Sequence, residues 1–184
     1  MGAVRTTARA QLPPRVRKAV LTLHIVSAGA WIGVDVLVAV LAGVGLGSGS
    51  AEVRGLALRT LATFVVTPML VAALTCLGTG FLLGLATRWG LVRYWWVAVK
   101  LVTNLVLATL ILVLLRPGLP EVGAAGAVVE AGGVPAADLS FLVYPPTVSL
   151  TALAAATVLS VYKPWGRVRQ RRARVSEVRA TVAG

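Results

Sequence analysis

Charge is scarce in this sequence. Only 13% of its 184 residues are charged, about half the roughly 25% of an ordinary soluble domain. That shortage excludes a disordered chain, a coiled coil and most soluble enzymes. Acidic residues are the scarcest, six against eighteen Lys and Arg, for a net charge of +12. Cysteine and histidine occur once each, so Cys76 has no intrachain disulfide partner and a zinc site built within one chain is not expected. The phosphate-cradling GxxxxGK[ST], the metal-binding HExxH and CxxC, and the nucleophile elbow GxSxG are all missing. The run Gly43-x-Gly45-x-Gly47-x-Gly49 is not a dinucleotide fingerprint and follows an apolar run rather than a strand. No segment alternates apolar and polar residues over the roughly ten positions that a membrane barrel strand needs.

What is present is grease. The hydrophobic class makes up 58% of the chain, with a mean hydropathy of +0.87. Four apolar runs stand out, at residues 19–45, 61–86, 94–115 and 139–162. Each exceeds the roughly 20 residues that cross about 30 Å of hydrocarbon at 1.5 Å per residue. The expected fold is therefore all-α, an integral membrane four-helix bundle spanning residues 19–162. A basic N-terminal segment, residues 1–18, precedes it and a basic tail, residues 163–184, follows it.

The positive charge sets the orientation. Arg5, Arg9, Arg15, Arg17 and Lys18 precede span one, Arg88 and Arg93 lie between spans two and three, and seven more Lys and Arg fall in the tail. These all lie on one side of a chain that crosses four times. Arg54, Arg59 and Arg116 fall on the other, together with Glu52, Glu121, Glu130 and Asp138. Both termini are expected in the cytoplasm and the protein in the inner (plasma) membrane. The first apolar run is too long for a signal-peptide core, so it is expected to remain as span one. The basic ends point to anionic lipid headgroups rather than to nucleic acid. Trp89, Tyr94, Trp95 and Trp165 read as an interfacial aromatic belt.

The connections carry expectations too. Residues 51–60 are weakly amphipathic and suit the membrane interface. Residues 117–138 are read as a plain connector, with a flexible cap, a re-entrant piece or an interfacial helix as alternatives. Pro68, Pro145 and Pro146 fall inside spans two and four, where each predicts a packing kink or a broken helix lining a cavity. Gly29 and Gly33, and Gly80 and Gly84, form small-xxx-small pairs suited to close helix contact.

Polar residues within the spans carry the functional signal, because groups at membrane depth are costly and face a bundle interior or a wet cavity. His24 lies about 9 Å past Lys18 and Lys100 about 10 Å past Arg93 at the helical rise, which puts the two at one level. His24, Ala28, Trp31 and Asp35 share one face of span one; Trp96, Lys100, Thr103 and Asn104 share one face of span three. Tyr144, Thr147, Thr151 and Tyr162 share one face of span four. The expected interior holds His24, Lys100 and Asn104, roofed by Trp31 and Trp96. A buried neutral imidazole is a natural axial ligand for haem iron, and a nearby lysine suits a propionate. The alternatives are a histidine bonded to another helix and a lysine that snorkels to the headgroups. Asp35, toward the outer edge, is expected to pair with Arg59 or Arg116, Asn104 to bond between helices, and Cys76 to fill space.

Two short motifs resemble a known superfamily. His24-Ile-Val-Ser-Ala-Gly-Ala-Trp31-Ile-Gly33 has the form H-x6-W-x-G, and Trp96-Val-Ala-Val-Lys100-Leu101 the form W-x3-K-L. Together they resemble the superfamily of CopD-type copper-resistance membrane proteins and HemJ-type protoporphyrinogen oxidases. The likeness is greatest to its small uncharacterised integral membrane proteins, whose tail begins like Val161-Tyr162-Lys163-Pro164-Trp165-Gly166. The resemblance implies a functional pair at His24 and Lys100 associated with haem b. Copper handling, the other activity it implies, has Met69, Cys76 and His24 as its candidate ligands. Three roles are carried forward: a haem-binding, redox-linked or haem-handling protein; a structural or accessory subunit with a homo-oligomer or a partner membrane subunit; and a small ion or solute carrier.

Overall fold

The computed structural model describes residues 12–86 and 95–162, and these are helical with no strand among them. Six α-helices follow in order: α1 (Pro14–Gly47), α2 (Ala51–Phe64), α3 (Val66–Ala86), α4 (Trp95–Leu110), α5 (Arg116–Glu130) and α6 (Tyr144–Tyr162). A π turn, Ile111–Leu115, joins α4 to α5, and a 3-10 turn, Ser140–Val143, leads into α6. Four helical stretches are long and apolar enough to cross a membrane: Pro14–Gly47, Val66–Ala86, Trp95–Glu130 and Ser140–Tyr162. α1 packs on α3, α3 on α4, α4 on α6, and α6 back on α1. In this closed ring α1 and α4 are diagonal partners. We call the end where α1 begins and α6 finishes the terminal end, and the opposite one the cap end.

Local chemistry explains the boundaries. Pro14 opens α1 at a position where its missing N–H costs nothing. Ser48 then turns extended, its N–H closing on Val44 O at 3.0 Å. Ser50 caps α2, its hydroxyl accepting from Val53 N, with Glu52 in the first turn. Pro68 has no N–H for Phe64 O, so α2 stops at Phe64 and the chain bends at Val65 before α3 begins. Pro145 and Pro146 lie in the first turn of α6, where no intrahelical donor is lost. The chain thus bends inside the expected span two, one turn before Pro68, whereas Pro145 and Pro146 mark a helix start and leave span four without the expected kink. Arg116 N reaches back five residues to Ile111 O, a π turn that comes just before the donorless Pro117. α5 ends in a Schellman turn, with Gly132 N on Val129 O, Gly133 N on Val128 O and Gly132 at φ 79°, a conformation that favours glycine.

The stretch 117–138 corrects the plain-connector expectation. Its first part is helix α5, which lies along α2 at the cap end in the most extensive helix pairing of the fold. Glycine makes the crossing possible. A Cβ on Gly55 would stand 2.5 Å from Glu130 Cβ and 2.6 Å from Gly126 O, and one on Gly126 would meet Gly55 O at 3.0 Å. Leu58, Leu61, Val122, Ala125 and Val129 are buried between them. Arg59 pairs with Glu130 at 2.7 Å, and Arg54 Nε donates to Gly45 O at 3.1 Å, closing a carbonyl at the end of α1. Asp138 starts the 3-10 turn, accepting from Ser140 N at 2.9 Å and from Ser140 Oγ at 3.0 Å. The backbone bond, and then the hydroxyl, hold its carboxyl below the usual carboxylate range.

The core centres on Trp31, Met69, Ala73, Leu142 and their neighbours, continuous with the α2–α5 layer. The exterior of the four long helices is apolar: Ile25, Val26, Val40, Leu74, Val113 and Leu114 are all exposed. A water-soluble surface does not tolerate apolar area on this scale, whereas hydrocarbon does. Gly29 and Gly33 have no other part of the described chain within 4 Å of a Cβ position. Their face therefore makes no close contact within the described chain.

Candidate functional site

The inner stripe of α1 runs through Ser27, Trp31, Asp35, Val38, Ala42 and Gly45, all buried. His24 begins it, half-buried at the terminal end. Facing it on α3 are Cys76, Thr79 and Gly80. His24 Nδ1 lies 3.1 Å from Cys76 O and 3.0 Å from Thr79 Oγ1. The Thr79 hydroxyl donates its own hydrogen to Thr75 O at 2.6 Å. Both partners of Nδ1 are therefore acceptors, so Nδ1 carries a proton and donates. In the neutral ring the lone pair then sits on Nε2, which takes no hydrogen bond among the described residues. Gly80 makes room for the ring: a Cβ there would stand 3.1 Å from His24 Cε1.

Lys100 enters from α4, the helix diagonal to α1. Its ammonium donates to Ser160 Oγ on α6 at 2.5 Å and lies 5.8 Å from the centre of the Trp96 ring. Ser160 in turn donates to Ala156 O at 3.0 Å. Lys100 and His24 lie within electrostatic reach, but each is bonded to a different neighbour, α6 for the lysine and α3 for the histidine. Asn104 stands one turn further along α4, beside the Cys76 thiol together with Ser27. The thiol sits 3.8 Å from His24 Nδ1. Trp31 Nε1 and Asn104 Oδ1 are both buried without a hydrogen-bond partner.

Trp31 and Trp96 lie on opposite sides of the His24–Lys100 level. Trp31 is fully buried seven residues toward the cap end, and Trp96 lies four residues toward the terminal end. They bracket that level, which corrects the expected roof.

Asp35 departs from expectation more sharply. Arg59 is taken by Glu130, and Arg116 is exposed at the start of α5. Asp35 is instead 2% exposed and accepts from Ser149 Oγ on α6 at 2.5 Å. The cap formed by α2 and α5 packs beyond it, so a residue expected toward an edge is interior. The face of α6 that carries Tyr144, Thr147, Thr151 and Tyr162 is turned outward. Thr147 and Thr151 are exposed and bond back to Val143 O and Thr147 O of their own helix, and Tyr144 and Tyr162 are exposed. The inward positions are Ser149, Leu153 and Ser160.

Sequence reasoning missed Thr79, Ser149 and Ser160. The available signal was spacing, since Ser149, Leu153, Ala156 and Ser160 recur at helical intervals. Met69 and Cys76 are both buried on α3, and no group of three or more His, Cys, Asp or Glu side chains gathers among the described residues. Trp95 is exposed at the terminal end; Trp89, Tyr94, Trp165 and the basic tail lie outside the described residues. No protein-family model matches the chain, nor does any curated protein or solved structure.

Proposed function

We propose that this chain is an inner-membrane protein that binds haem b through His24, in a redox-linked or haem-handling role. The observation that carries the reading is the anchoring of Nδ1 on Cys76 O and Thr79 Oγ1. A ligating histidine characteristically donates its other ring N–H to a carbonyl or carboxylate, which fixes the tautomer and aims the free nitrogen. His24 Nε2 would then be the atom that holds the iron. Lys100, in electrostatic reach of that ring, would supply a cation for a propionate. Trp31, Trp96 and Asn104 complete the surroundings, with Asn104 Oδ1 open as an acceptor. When bound, haem supplies one-electron chemistry; the chain's part is to hold the imidazole, neutralise carboxylates and exclude water.

Both termini lie in the cytoplasm in this reading. Arg15, Arg17 and Lys18 at the terminal end favour that side, while the cap carries Glu52, Glu121, Glu130 and Asp138 beside its three arginines. The basic ends then meet anionic headgroups of the bilayer.

The test is an absorption spectrum of the purified protein, oxidised and reduced. A Soret band lost in His24→Ala and weakened in Lys100→Ala is the expected result. Colourless protein from haem-replete cells overturns the reading.

A further inference from the structure

A buried carboxyl with a hydroxyl partner and no cation beside it poses a separate question from the histidine site. Burying a carboxylate in an apolar interior is prohibitive unless a cation or a proton accompanies it. The available cations are engaged or remote. Arg54 is bonded to Gly45 O, ten residues along α1 from Asp35, or about 15 Å at the helical rise. Arg59 is paired with Glu130. Lys100 is bonded to Ser160, and Ser160 lies eleven residues along α6 from Ser149, about 16 Å by the same rise. His24 lies equally far from Asp35 along α1. A hard metal cation collects about six or more oxygens, whereas Asp35 has one hydroxyl partner and no cluster of carboxylates near it.

The elements packed on α1 bring little else. α2 carries Glu52, Arg54 and Arg59; α3 carries only Cys76 as a titratable group; α6 has only the exposed Tyr144 and Tyr162, and Asp138 before the 3-10 turn is exposed. Ser149 Oγ occupies Asp35 Oδ2, and Oδ1 takes no hydrogen bond among the described residues.

We propose that Asp35 and Ser149 form a proton-binding site inside the bundle. The second observation is the pair of orphaned polar atoms. Trp31 Nε1 lies one turn from Asp35 on the inner stripe of α1, and Asn104 Oδ1 one turn past Lys100; both are buried without partners. Both lie between the Asp35 level and the His24–Lys100 level. The indole N–H only donates and the amide oxygen only accepts, so they mark unsatisfied polar positions beside the site rather than a relay. Only an O–H bond is made and broken: the carboxyl gains its proton as pH falls and returns it to water as pH rises. The site stands whether or not haem is bound at His24.

Infrared difference spectroscopy of the purified full chain tests this. At neutral pH the wild type should show a protonated-carboxyl stretch that shifts in heavy water and is lost in Asp35→Asn but kept in Asp138→Asn. Ser149→Ala, which retains the carboxyl, should move the band to higher frequency. A spectrum unchanged by Asp35→Asn, or a band that Ser149→Ala leaves in place, overturns the site.

Discussion

The tightest crossing in the fold can be challenged with a single methyl group. In Gly55→Ala the new Cβ would stand 2.5 Å from Glu130 Cβ, 2.6 Å from Gly126 O and 2.8 Å from Glu130 N. Carbon contacts settle at about 3.5–4.0 Å, so something must move by roughly an ångström. Two of the three atoms are backbone and the third is a Cβ, so no side-chain rotation relieves the clash. α5 must therefore withdraw from α2, loosening Leu58, Leu61, Val122 and Ala125, all of which are buried. Overpacking of this kind costs about 1–3 kcal/mol, and the absence of a rotamer escape places it near the top. Alanine returns about 1 kcal/mol through its helix propensity, leaving a net loss of about 2 kcal/mol. For a chain of this size that lowers Tm by roughly 4–8 °C. Gly126→Ala should cost less, because one of its neighbours at 3.0 Å is Arg59 Cγ, a flexible side-chain atom. Thermal unfolding of the detergent-solubilised variants, followed by circular dichroism, measures both. A Gly55→Ala protein as stable as the wild type would refute the crossing.

Gly29→Ala and Gly33→Ala are the matched controls. No atom lies within 4 Å of either Cβ, so each should hold or raise Tm by the same assay, and a marked loss would show that an unseen neighbour covers that face. Asp138 gives a pH dependence. Its native carboxyl is held below the ordinary range by Ser140 N and then by the Ser140 hydroxyl, so its contribution is complete above the unfolded value and fades as pH falls through the native one. Tm of the wild type should therefore converge on that of Asp138→Asn in acid and exceed it at neutral pH; parallel curves would refute the capping role.

The spans were legible because length and apolar content are local properties. So was the inner face of α1, where simple rotation put Trp31 and Asp35 together and both are buried. The α2–α5 cap was not. Residues 117–138 are rich in glycine and alanine, which reads as a connector when taken alone. The helix is supported by α2, more than 50 residues earlier, through glycines whose meaning appears only when both backbones are present. Asp35 was misplaced for the same reason. Its depth was judged from the nearest loop, and the cap that covers it comes from distant sequence. On α6, Thr147 and Thr151 satisfy themselves on their own helix and need no interior partner. Ser149 and Ser160, spaced like the apolar core positions around them, face inward.

The three interior ionisable residues share one construction, and it explains how a greasy bundle chooses its register. Between apolar helices in lipid there is no hydrophobic drive to favour one rotation over another, so packing and cross-helix hydrogen bonds must decide. His24 ties α1 to α3 through Thr79 and Cys76 O, Asp35 ties α1 to α6 through Ser149, and Lys100 ties α4 to α6 through Ser160. Three of the four sides of the ring thus carry a polar bond to a titratable group. The fourth side, α3 to α4, has Asn104 beside the Cys76 thiol. Turning α1 or α4 by a single residue, about 100°, would carry its charged or imidazole group away from its partner. The groups that make the interior chemically capable are therefore also the ones that fix its geometry. Removing one should disturb helix rotation as well as chemistry, which is why isosteric changes such as Asp35→Asn separate the two roles better than truncation to alanine.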